Sequence, residues 1–326
     1  YLVQSGASNI AIGYYSQYNN GYGPSTAGSY NISIGDQSLK FNVNGSNNVA
    51  IGHQALYTNT TSHNTAIGYK AMYGNSNGVC TAVGFQSLTA NTTGDRNTAV
   101  GYNSLTANST TSDNTAVGHA ALALNSSGYN NVAVGSQTLL SNISGYSNTC
   151  VGYRAMFSNY DGAENVAVGD SALYNNVGGY YNNAVGIGAL YNCAPSGTGS
   201  AGSSNNAFGY YALSLTTTGG DNTAFGDGAG FSITTGTYNV GVGFNALYRT
   251  AASTGVTTGS GNVDIGGNGD PAYASFSGAT SNVVSIGSQA TTAAYTKVNW
   301  TTTSDARDKT NFGAVPHGLD FVTKLN

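Results

Sequence analysis

The stretch NTAVGYNSLTANSTTSD, residues 97–113, is one complete unit of a repeat that runs through most of this chain. Its opening phrase returns as NTAVGHAAL at 114–122 and as NVAVGDSAL at 165–173. We number positions within a unit from the glycine that ends each A-V-G-like phrase, here Gly101, and call it the anchor glycine. Self-similarity at a short fixed period is typical of solenoids, in which each unit forms one coil stacked on the next.

Sixteen anchor glycines set the period of the repeat. Most successive anchors are 17 residues apart, two steps are 16 residues, and four steps of 21 to 23 residues contain insertions. Such a unit is too short for a pair of helices, which needs about 33 residues, and suits one coil of a parallel β-roll or β-solenoid. With coils about 4.8 Å apart, sixteen coils would form a rod roughly 75 Å long. The anchors are Gly13, Gly35, Gly52, Gly68, Gly84, Gly101, Gly118, Gly135, Gly152, Gly169, Gly186, Gly209, Gly226, Gly243, Gly266 and Gly287.

Fixed positions around the anchor carry fixed residue types. Position −4 is Asn in 14 of 16 units, position +4 is Leu or Met in 12, and position +7 is Asn in the first ten. The T-A-V runs before the anchor predict short strands, and the anchor glycine predicts a bend with positive φ. Asn at one position in successive coils predicts a ladder whose amides bond along the rod axis. The predicted ladder residues are Asn97, Asn114, Asn131, Asn148 and Asn165, with Gly101, Gly118, Gly135, Gly152 and Gly169 at the bends.

The same pattern suggests which side chains fill the coil. In a strand, residues −3 and −1 share one face and residue −2 points the other way. We expect Val or Ile at −1 to fill the interior of the coil, and Leu at +4 to form a stripe along the outside. Soluble monomers rarely expose a continuous apolar stripe, so we expect parallel copies of the chain to associate and bury it.

Composition excludes several classes of function. Only 7% of the residues are charged, and nine Lys and Arg residues are too few for a phosphate-binding surface, so nucleic acid is not an expected partner. The sequence has no run of about 20 apolar residues, so it does not predict a helix inserted in a membrane. The 13 acidic residues are scattered, and no Cys/His pattern has metal-ligand spacing. The repeat region is therefore not expected to be an enzyme, and we expect no cofactor and no metal.

Cysteine, histidine and aromatic residues all fall on positions of the repeat. Cys80 and Cys150 lie four coils apart, roughly 19 Å, which is too far for a disulfide, so these residues and Cys193 are predicted to be buried free thiols. His53 and His119 stand at position +1, where other units have Tyr or Phe, and we interpret them as aromatic residues of that position. Aromatic residues recur at +5. Rings there would either pack between chains or contact sugars.

The repeat phrases resemble those of a known family. NVAIG at 48–52, NTAIG at 64–68 and NVAVG at 131–135 resemble the signature of trimeric autotransporter adhesin heads, and similar phrases occur in trimeric phage tail fibres. The resemblance spans about residues 9–290. It implies a parallel β-roll in which three chains pack side by side, so that the partners of each chain are two further copies of itself.

The last residues depart from the repeat. SDARDKTNFGAVPHGLDFVTKLN, residues 304–326, resembles the opening of the endosialidase-type intramolecular chaperone found at the C-termini of phage tail fibres and tailspikes. The resemblance implies a single self-cleavage between Ser304 and Asp305, with Ser304 as nucleophile and Lys309 as its base. Such a base fits the chemistry, because a Ser hydroxyl needs a neighbouring base and a Lys serves when burial lowers its pKa. Only 22 residues follow Ser304, so we interpret this segment as the truncated start of that domain.

Together these features predict an all-β homotrimeric fibre. The expected function is that of a phage tail fibre shaft on the virion, or of another extracellular or cell-surface fibre, which attaches to a cell-surface glycan or another host receptor. The alternatives are a bacterial surface adhesive fibre, a trimeric autotransporter passenger, and a secreted carbohydrate- or ice-binding β-solenoid. The predicted regions are a shaft at 1–290 with insertions near 14–31, 193–205 and 250–281, a linker at 291–303, and the chaperone start at 304–326.

Overall fold

The protein is an all-β parallel β-solenoid, as the 17-residue repeat predicts. The structure is a computed structural model. The residues that it describes contain no helix. Each strand of the main sheet contacts only the strands directly before and after it in that sheet. The described residues are 7–20, 28–194, 201–248, 257–266 and 278–287.

The chain divides into two units, Tyr1–Gln289 and Ala290–Asn326. The second unit lies wholly outside the described residues. The predicted linker at 291–303 and the predicted chaperone start at 304–326 therefore stay predictions.

One strand from each repeat unit joins a single sixteen-stranded parallel sheet, and three shorter strands form a second sheet. Neighbouring strands of the main sheet pair position for position, so that Ala99 lies opposite Ala116. Equivalent side chains are thereby stacked in columns along the rod. The main sheet comprises β1 (Ile10–Ile12), β2 (Ile32–Ile34), β4 (Val49–Ile51), β6 (Thr65–Ile67), β8 (Thr81–Val83), β9 (Thr98–Val100), β10 (Thr115–Val117), β11 (Val132–Val134), β12 (Thr149–Val151), β13 (Val166–Val168), β14 (Asn183–Val185), β15 (Asn206–Phe208), β16 (Thr223–Phe225), β17 (Val240–Val242), β18 (Val263–Ile265) and β19 (Val284–Ile286), and the second sheet comprises β3 (Phe41–Asn42), β5 (Thr58–Asn59) and β7 (Gly74–Asn75).

The corner after each strand of the main sheet requires glycine. Gly101 has a φ of 138°, and a Cβ atom added to it would lie 2.3 Å from the carbonyl oxygen of Gly118 in the next coil. Two residues after the corner, Asn103 and Leu105, also adopt the left-handed backbone conformation although they carry side chains. Their φ angles are 53° and 50°. Their conformation is supported from the next coil, where the Ala121 carbonyl accepts the N–H of Leu105 at 3.0 Å.

The core reverses the predicted roles of Val and Leu. Ala116 at position −2 and Leu122 at position +4 are fully buried inside the coil, whereas Val117 at position −1 lies on the outer face and is only partly buried. The expectation that Val fills the interior and Leu lies outside was wrong. The coil is narrow, so a small residue on one wall leaves room for one large residue from the opposite wall. The resulting column of fully buried side chains is Leu39, Leu56, Met72, Leu88, Leu105, Leu122, Leu139, Met156, Leu173, Leu190 and Leu213.

The interior becomes polar near both ends of the described coils. In the first coils, Gln17 replaces the buried Leu and is fully buried, and Ser33 replaces the buried Ala. The hydroxyl of Ser33 hydrogen-bonds to that of Ser16 at 2.7 Å. At the other end, Asp264 occupies the Ala position, and its Oδ2 accepts the N–H of Leu247 at 2.9 Å. Burial raises the pKa of Asp264.

Candidate functional site

The Asn residues at position −4 form a buried ladder that ties each coil to its neighbours. Asn97 Oδ1 accepts the main-chain N–H of Asn114 at 3.0 Å, and Asn114 Oδ1 accepts that of Asn131 at 3.1 Å. The side-chain amide of Asn114 also donates to the Gly128 carbonyl at 3.1 Å. Each amide thus satisfies a buried N–H and a buried carbonyl group of the turn that follows it. The same arrangement continues through Asn148 and Asn165.

A second Asn ladder runs along position +7. Asn125 Nδ2 donates to Asn108 Oδ1 at 3.1 Å and to the Gly128 carbonyl at 2.8 Å. Asn59, Asn91 and Asn108 each begin an N-x-Ser/Thr phrase, which is the sequence of a glycosylation acceptor. All three are at most 1% exposed, so the folded coil leaves no room for a sugar on these nitrogens. These Asn side chains therefore serve the fold.

The three cysteines are buried and free, as predicted. Cys80 occupies position −4 in the first Asn ladder and forms hydrogen bonds equivalent to those of an Asn. Its N–H donates to Asn64 Oδ1 at 2.8 Å, and its thiol donates to the Gly94 carbonyl at 3.3 Å. Burial raises the pKa of Cys80 to about 11 and that of Cys193 to about 12, and it raises the pKa of Cys150 far above its usual range. Neutral, buried thiols are poor nucleophiles, so they are structural side chains.

A continuous apolar stripe lies on the outer face of the main sheet. It is formed by position −1 of all sixteen units and contains no polar or charged residue. Its members range from partly buried to strongly exposed, with Val151 at 39% and Phe225 at 60%. We call this row the outer stripe. It consists of Ile12, Ile34, Ile51, Ile67, Val83, Val100, Val117, Val134, Val151, Val168, Val185, Phe208, Phe225, Val242, Ile265 and Ile286.

Aromatic residues at position +1 stack into a ladder beside the outer stripe. Neighbouring ring centroids are 5.0 to 5.5 Å apart, and the rings are within 15° of parallel. Both faces of each inner ring are therefore covered by other rings, and only ring edges remain for contacts outside the chain. The interpretation of the two histidines as aromatic members of this row is confirmed. The ladder is His53, Tyr69, Phe85, Tyr102 and His119.

Two shorter ring stacks occupy position +5. Tyr57 and Tyr73 lie 4.8 Å apart and nearly parallel. Further along the rod, Phe157, Tyr174 and Tyr191 stack at 5.1 and 4.9 Å. Packing within one chain therefore accounts for the shared ring faces. Sequence reasoning left open whether such rings pack or contact sugars, and only the outermost rings of each stack have a face without a ring neighbour.

Three cations lie among these rings, and sequence analysis missed them. Lys70 Nζ is 5.4 Å from the ring centroid of Tyr69 and 5.7 Å from that of Tyr73. Arg154 repeats this arrangement at 5.0 Å from Tyr153 and 5.5 Å from Phe157. Distances of this size permit cation–π attraction. The signal was present in the repeat, because both cations stand at position +2, between the two aromatic positions.

The third cation is Lys40, whose Nζ is 4.9 to 5.5 Å from the ring centroids of Tyr15, Phe41 and Tyr57. Neither Lys40, Lys70 nor Arg154 forms an ion pair with a described acidic residue. The remaining described cation of the Lys/Arg type, Arg96, is paired with Asp95 and Asp113. The charges of Lys40, Lys70 and Arg154 are therefore not neutralised by a described acidic residue, and Arg154 Nε donates to the neutral amide oxygen of Gln137 at 2.8 Å.

Other predicted features lie outside the described residues. These include Ser304 and Lys309, the cleavage site before Asp305, and most of the inserted residues, at 21–27, 195–200, 249–256 and 267–277. Among the residues that are described, no three His, Cys, Asp or Glu side chains are grouped in a way that could hold a metal ion. The same part of the chain contains no helix with the length and apolar character of a membrane span.

Comparison with known proteins found no matching protein family, no matching curated protein and no matching solved structure.

Proposed function

We propose that this chain is the shaft of a homotrimeric fibre of the phage tail fibre type, which serves attachment to a host surface. The observation that carries the proposal is the outer stripe, which is apolar in every one of its sixteen rungs. A globular partner would cover a patch of such a surface. A second copy of the chain has the same rung spacing and matches the stripe along its whole length.

The buried Leu column has no part in this association. The outer stripe takes the role that sequence reasoning gave to Leu, because its Val, Ile and Phe side chains are the ones left on the surface. Chains arranged around a common axis bury all of their stripes by symmetry. The number three rests on the resemblance of phrases such as NVAIG at 48–52 to trimeric adhesin heads.

The mass of the protein in native buffer tests this association. Light scattering coupled to size exclusion should give three times the chain mass of 33.0 kDa. Replacing both Val117 and Val134 by Lys places two charges in the middle of each stripe, and we expect the double variant to be monomeric. Thr110→Lys is the control, because Thr110 is exposed and lies elsewhere on the coil. A monomeric wild-type chain would refute the trimer.

Self-cleavage is a separate part of the proposal and rests on the resemblance at 304–309. In the full-length protein, we propose that the Ser304 hydroxyl attacks the carbonyl carbon of the Ser304–Asp305 peptide bond, while Lys309 takes the hydroxyl proton. The C–N bond breaks, the proton passes to the departing amine of Asp305, and water hydrolyses the ester that remains. The Ser304→Ala variant should leave the downstream domain attached, as seen by the size of the chain on a denaturing gel. Cleavage of that variant at the wild-type rate would remove Ser304 from this role.

A bacterial surface adhesive fibre would share the shaft and its association. The sequence on both sides of this segment in its gene distinguishes the two sources. An upstream virion-attachment domain supports the tail fibre, and a downstream membrane-anchor domain supports the bacterial fibre. Either location is consistent with a rod whose surface carries few charges.

A further inference from the structure

The ring stacks at position +5 are interrupted by a gap of four coils. Tyr73 ends the first stack and Phe157 begins the second. The two rings belong to coils five steps apart, which places them about 24 Å from each other along the rod. We call the ring-free surface between them the trough. Its floor at position +5 is formed by Thr89, Thr106, Ala123 and Leu140.

At each end of the trough, an aromatic ring has one face on which no other ring is stacked. One face of Tyr73 is covered by Tyr57, and the position one coil further on is Thr89, so no described ring covers the second face. At the other end, Tyr174 covers one face of Phe157, and the preceding coil has Leu140 in place of a ring. The stacks themselves show that a ring fits at each level, at a spacing of 4.8 to 5.1 Å. A flat ligand ring can therefore occupy the level where the chain supplies none.

The trough is positive although the chain as a whole has a formal net charge of −4. Lys70 lies beside the ring at one end and Arg154 beside the ring at the other, and neither has an acidic partner among the described residues. Positions +1 to +6 of the four intervening coils contain no Asp or Glu, as seen in FQSLTA, YNSLTA, HAALAL and SQTLLS. The charge of the site is thus left for a ligand to neutralise.

The wall of the trough offers side-chain amides rather than free main-chain groups. Gln86, Asn103 and Gln137 stand at position +2. Asn103 Oδ1 is buried, and Gln137 Oε1 already accepts the Nε–H of Arg154 at 2.8 Å, so the NH2 groups of these amides are what the wall offers to a ligand. The main chain of the floor is already used between coils, since the Leu88 N–H donates to the Ser104 carbonyl at 2.9 Å. An extended peptide therefore finds no sheet edge to pair with here.

We propose that the trough binds an acidic oligosaccharide. The C–H faces of terminal sugar rings stack on Tyr73 and Phe157, their carboxylates pair with Lys70 and Arg154, and hydroxyl groups bond to the amides along the wall. The biological role of the site, attachment to a host glycan, rests on the proposed function. The inference deepens it by naming the surface and the class of sugar.

Calorimetric titration of the assembled wild-type protein tests the proposal. The probes are a short oligogalacturonate and a neutral galacto-oligosaccharide of the same length. We expect binding of the first and much weaker binding of the second. Lys70→Gln and Arg154→Gln should each weaken binding roughly tenfold, the effect of one lost charge-assisted hydrogen bond. Lys40→Gln is the matched control, because Lys40 also lies among rings but outside the trough, and its affinity should be unchanged.

Thr106→Tyr provides a test that leaves Lys70, Arg154 and the rings at both ends of the trough in place, at the loss of the hydrogen bond from the Thr106 hydroxyl to the Asn103 carbonyl. The new ring would fill a level of the trough, so we expect it to abolish binding while the thermal unfolding transition stays intact. Absence of oligogalacturonate binding, equal affinity for the neutral sugar, or an equal loss in Lys40→Gln would each overturn the proposal. A trimer that binds neither sugar refutes the trough alone, whereas a monomer that binds through Lys70 refutes the fibre alone.

Discussion

Asn131 Oδ1 accepts two hydrogen bonds from Asn148, one from its main-chain N–H and one from its side-chain amide, both at 3.1 Å. The same amide of Asn148 donates to the Gly162 carbonyl of the following coil at 2.9 Å. One side chain thus connects three successive coils. The ladder replaces the water that would otherwise be needed for these buried main-chain groups.

Asn148→Ala should destabilise the rod. It leaves the Gly162 carbonyl without this donor and the N–H of Asn165 without its acceptor, which lies at 3.1 Å in the wild type. The Gly162 carbonyl keeps a second donor, Asn159 Nδ2 at 2.9 Å, so the Asn165 N–H is the one buried main-chain group left without a partner. We therefore expect a loss of about 1–3 kcal/mol in the free energy of unfolding. Urea denaturation followed by circular dichroism measures it. Asn130→Gly is the control, because Asn130 is exposed with a φ of 56°, and an equal loss there would contradict the ladder's role.

Gly101→Ala should be among the most damaging single substitutions in the solenoid. The added Cβ would meet the Gly118 carbonyl oxygen at 2.3 Å, and the φ of 138° is unfavourable for any other residue. We expect a loss of roughly 3 kcal/mol or more. Gly74→Ala is the matched variant, because the nearest atom to its added Cβ is the Thr58 hydroxyl at 3.3 Å. If both variants unfold at the same urea concentration, the close approach of coils at the anchor is not what selects glycine.

Cys80→Asn should stabilise the protein, because it restores the first Asn ladder at one of the two coils that lack it. An amide at this position would donate to the Gly94 carbonyl, to which the thiol now donates at 3.3 Å. Its oxygen would accept the N–H of Asn97, just as Asn97 Oδ1 accepts the N–H of Asn114 at 3.0 Å. We expect a gain of about 1 kcal/mol, the net value of an ordinary hydrogen bond in place of a weak one. If Cys80→Asn is less stable than the wild type in urea denaturation, the packing around residue 80 favours the Cys side chain over an amide.

The stability difference between wild type and Cys80→Asn should grow in alkali. The pKa of Cys80 is raised from 9.0 to about 11 in the folded chain, so the folded state holds its proton more tightly than the unfolded state. Ionisation of the Cys80 thiol has no effect on stability below about pH 9, where the thiol is neutral in both states. The wild type loses stability as the pH rises from there towards 11. The loss is at most about 1.4 kcal/mol per pH unit. Parallel urea titrations across this range check it, since the remaining cysteines and tyrosines are common to both proteins.

Sequence periodicity was sufficient to predict the stacked coils and the strand in each unit. The reason is that TAV and NTAVG phrases place β-prone residues, Asn and Gly at constant spacing. In a solenoid, residues at constant spacing occupy the same place in every coil. Gly101 could be understood in advance as a bend for the same reason. Its contact with Gly118 could not, because that distance depends on how closely coils pack.

The inside and outside of the coil were predicted in reverse. Two-fold alternation in a three-residue strand separates Val117 from Ala116, but it does not say which of the two faces the interior. Hydrophobicity favours Val, and the volume of a narrow coil favours Ala opposite Leu122. The four coils that lack a ring at position +5 between Tyr73 and Phe157 are visible in the sequence, but the stacking that leaves a ring face at each end of the gap is seen only in the structure.

Contacts in the main sheet join only adjacent units, so the length of the rod can change without changing its cross-section. Removing residues 98–114 would join Asn97 directly to Thr115, and the new junction would again read NTAVG. Near-identical phrases on both sides of a unit are also substrates for homologous recombination in the gene. The length of the solenoid can therefore increase or decrease by about 4.8 Å per unit, one genetic event at a time.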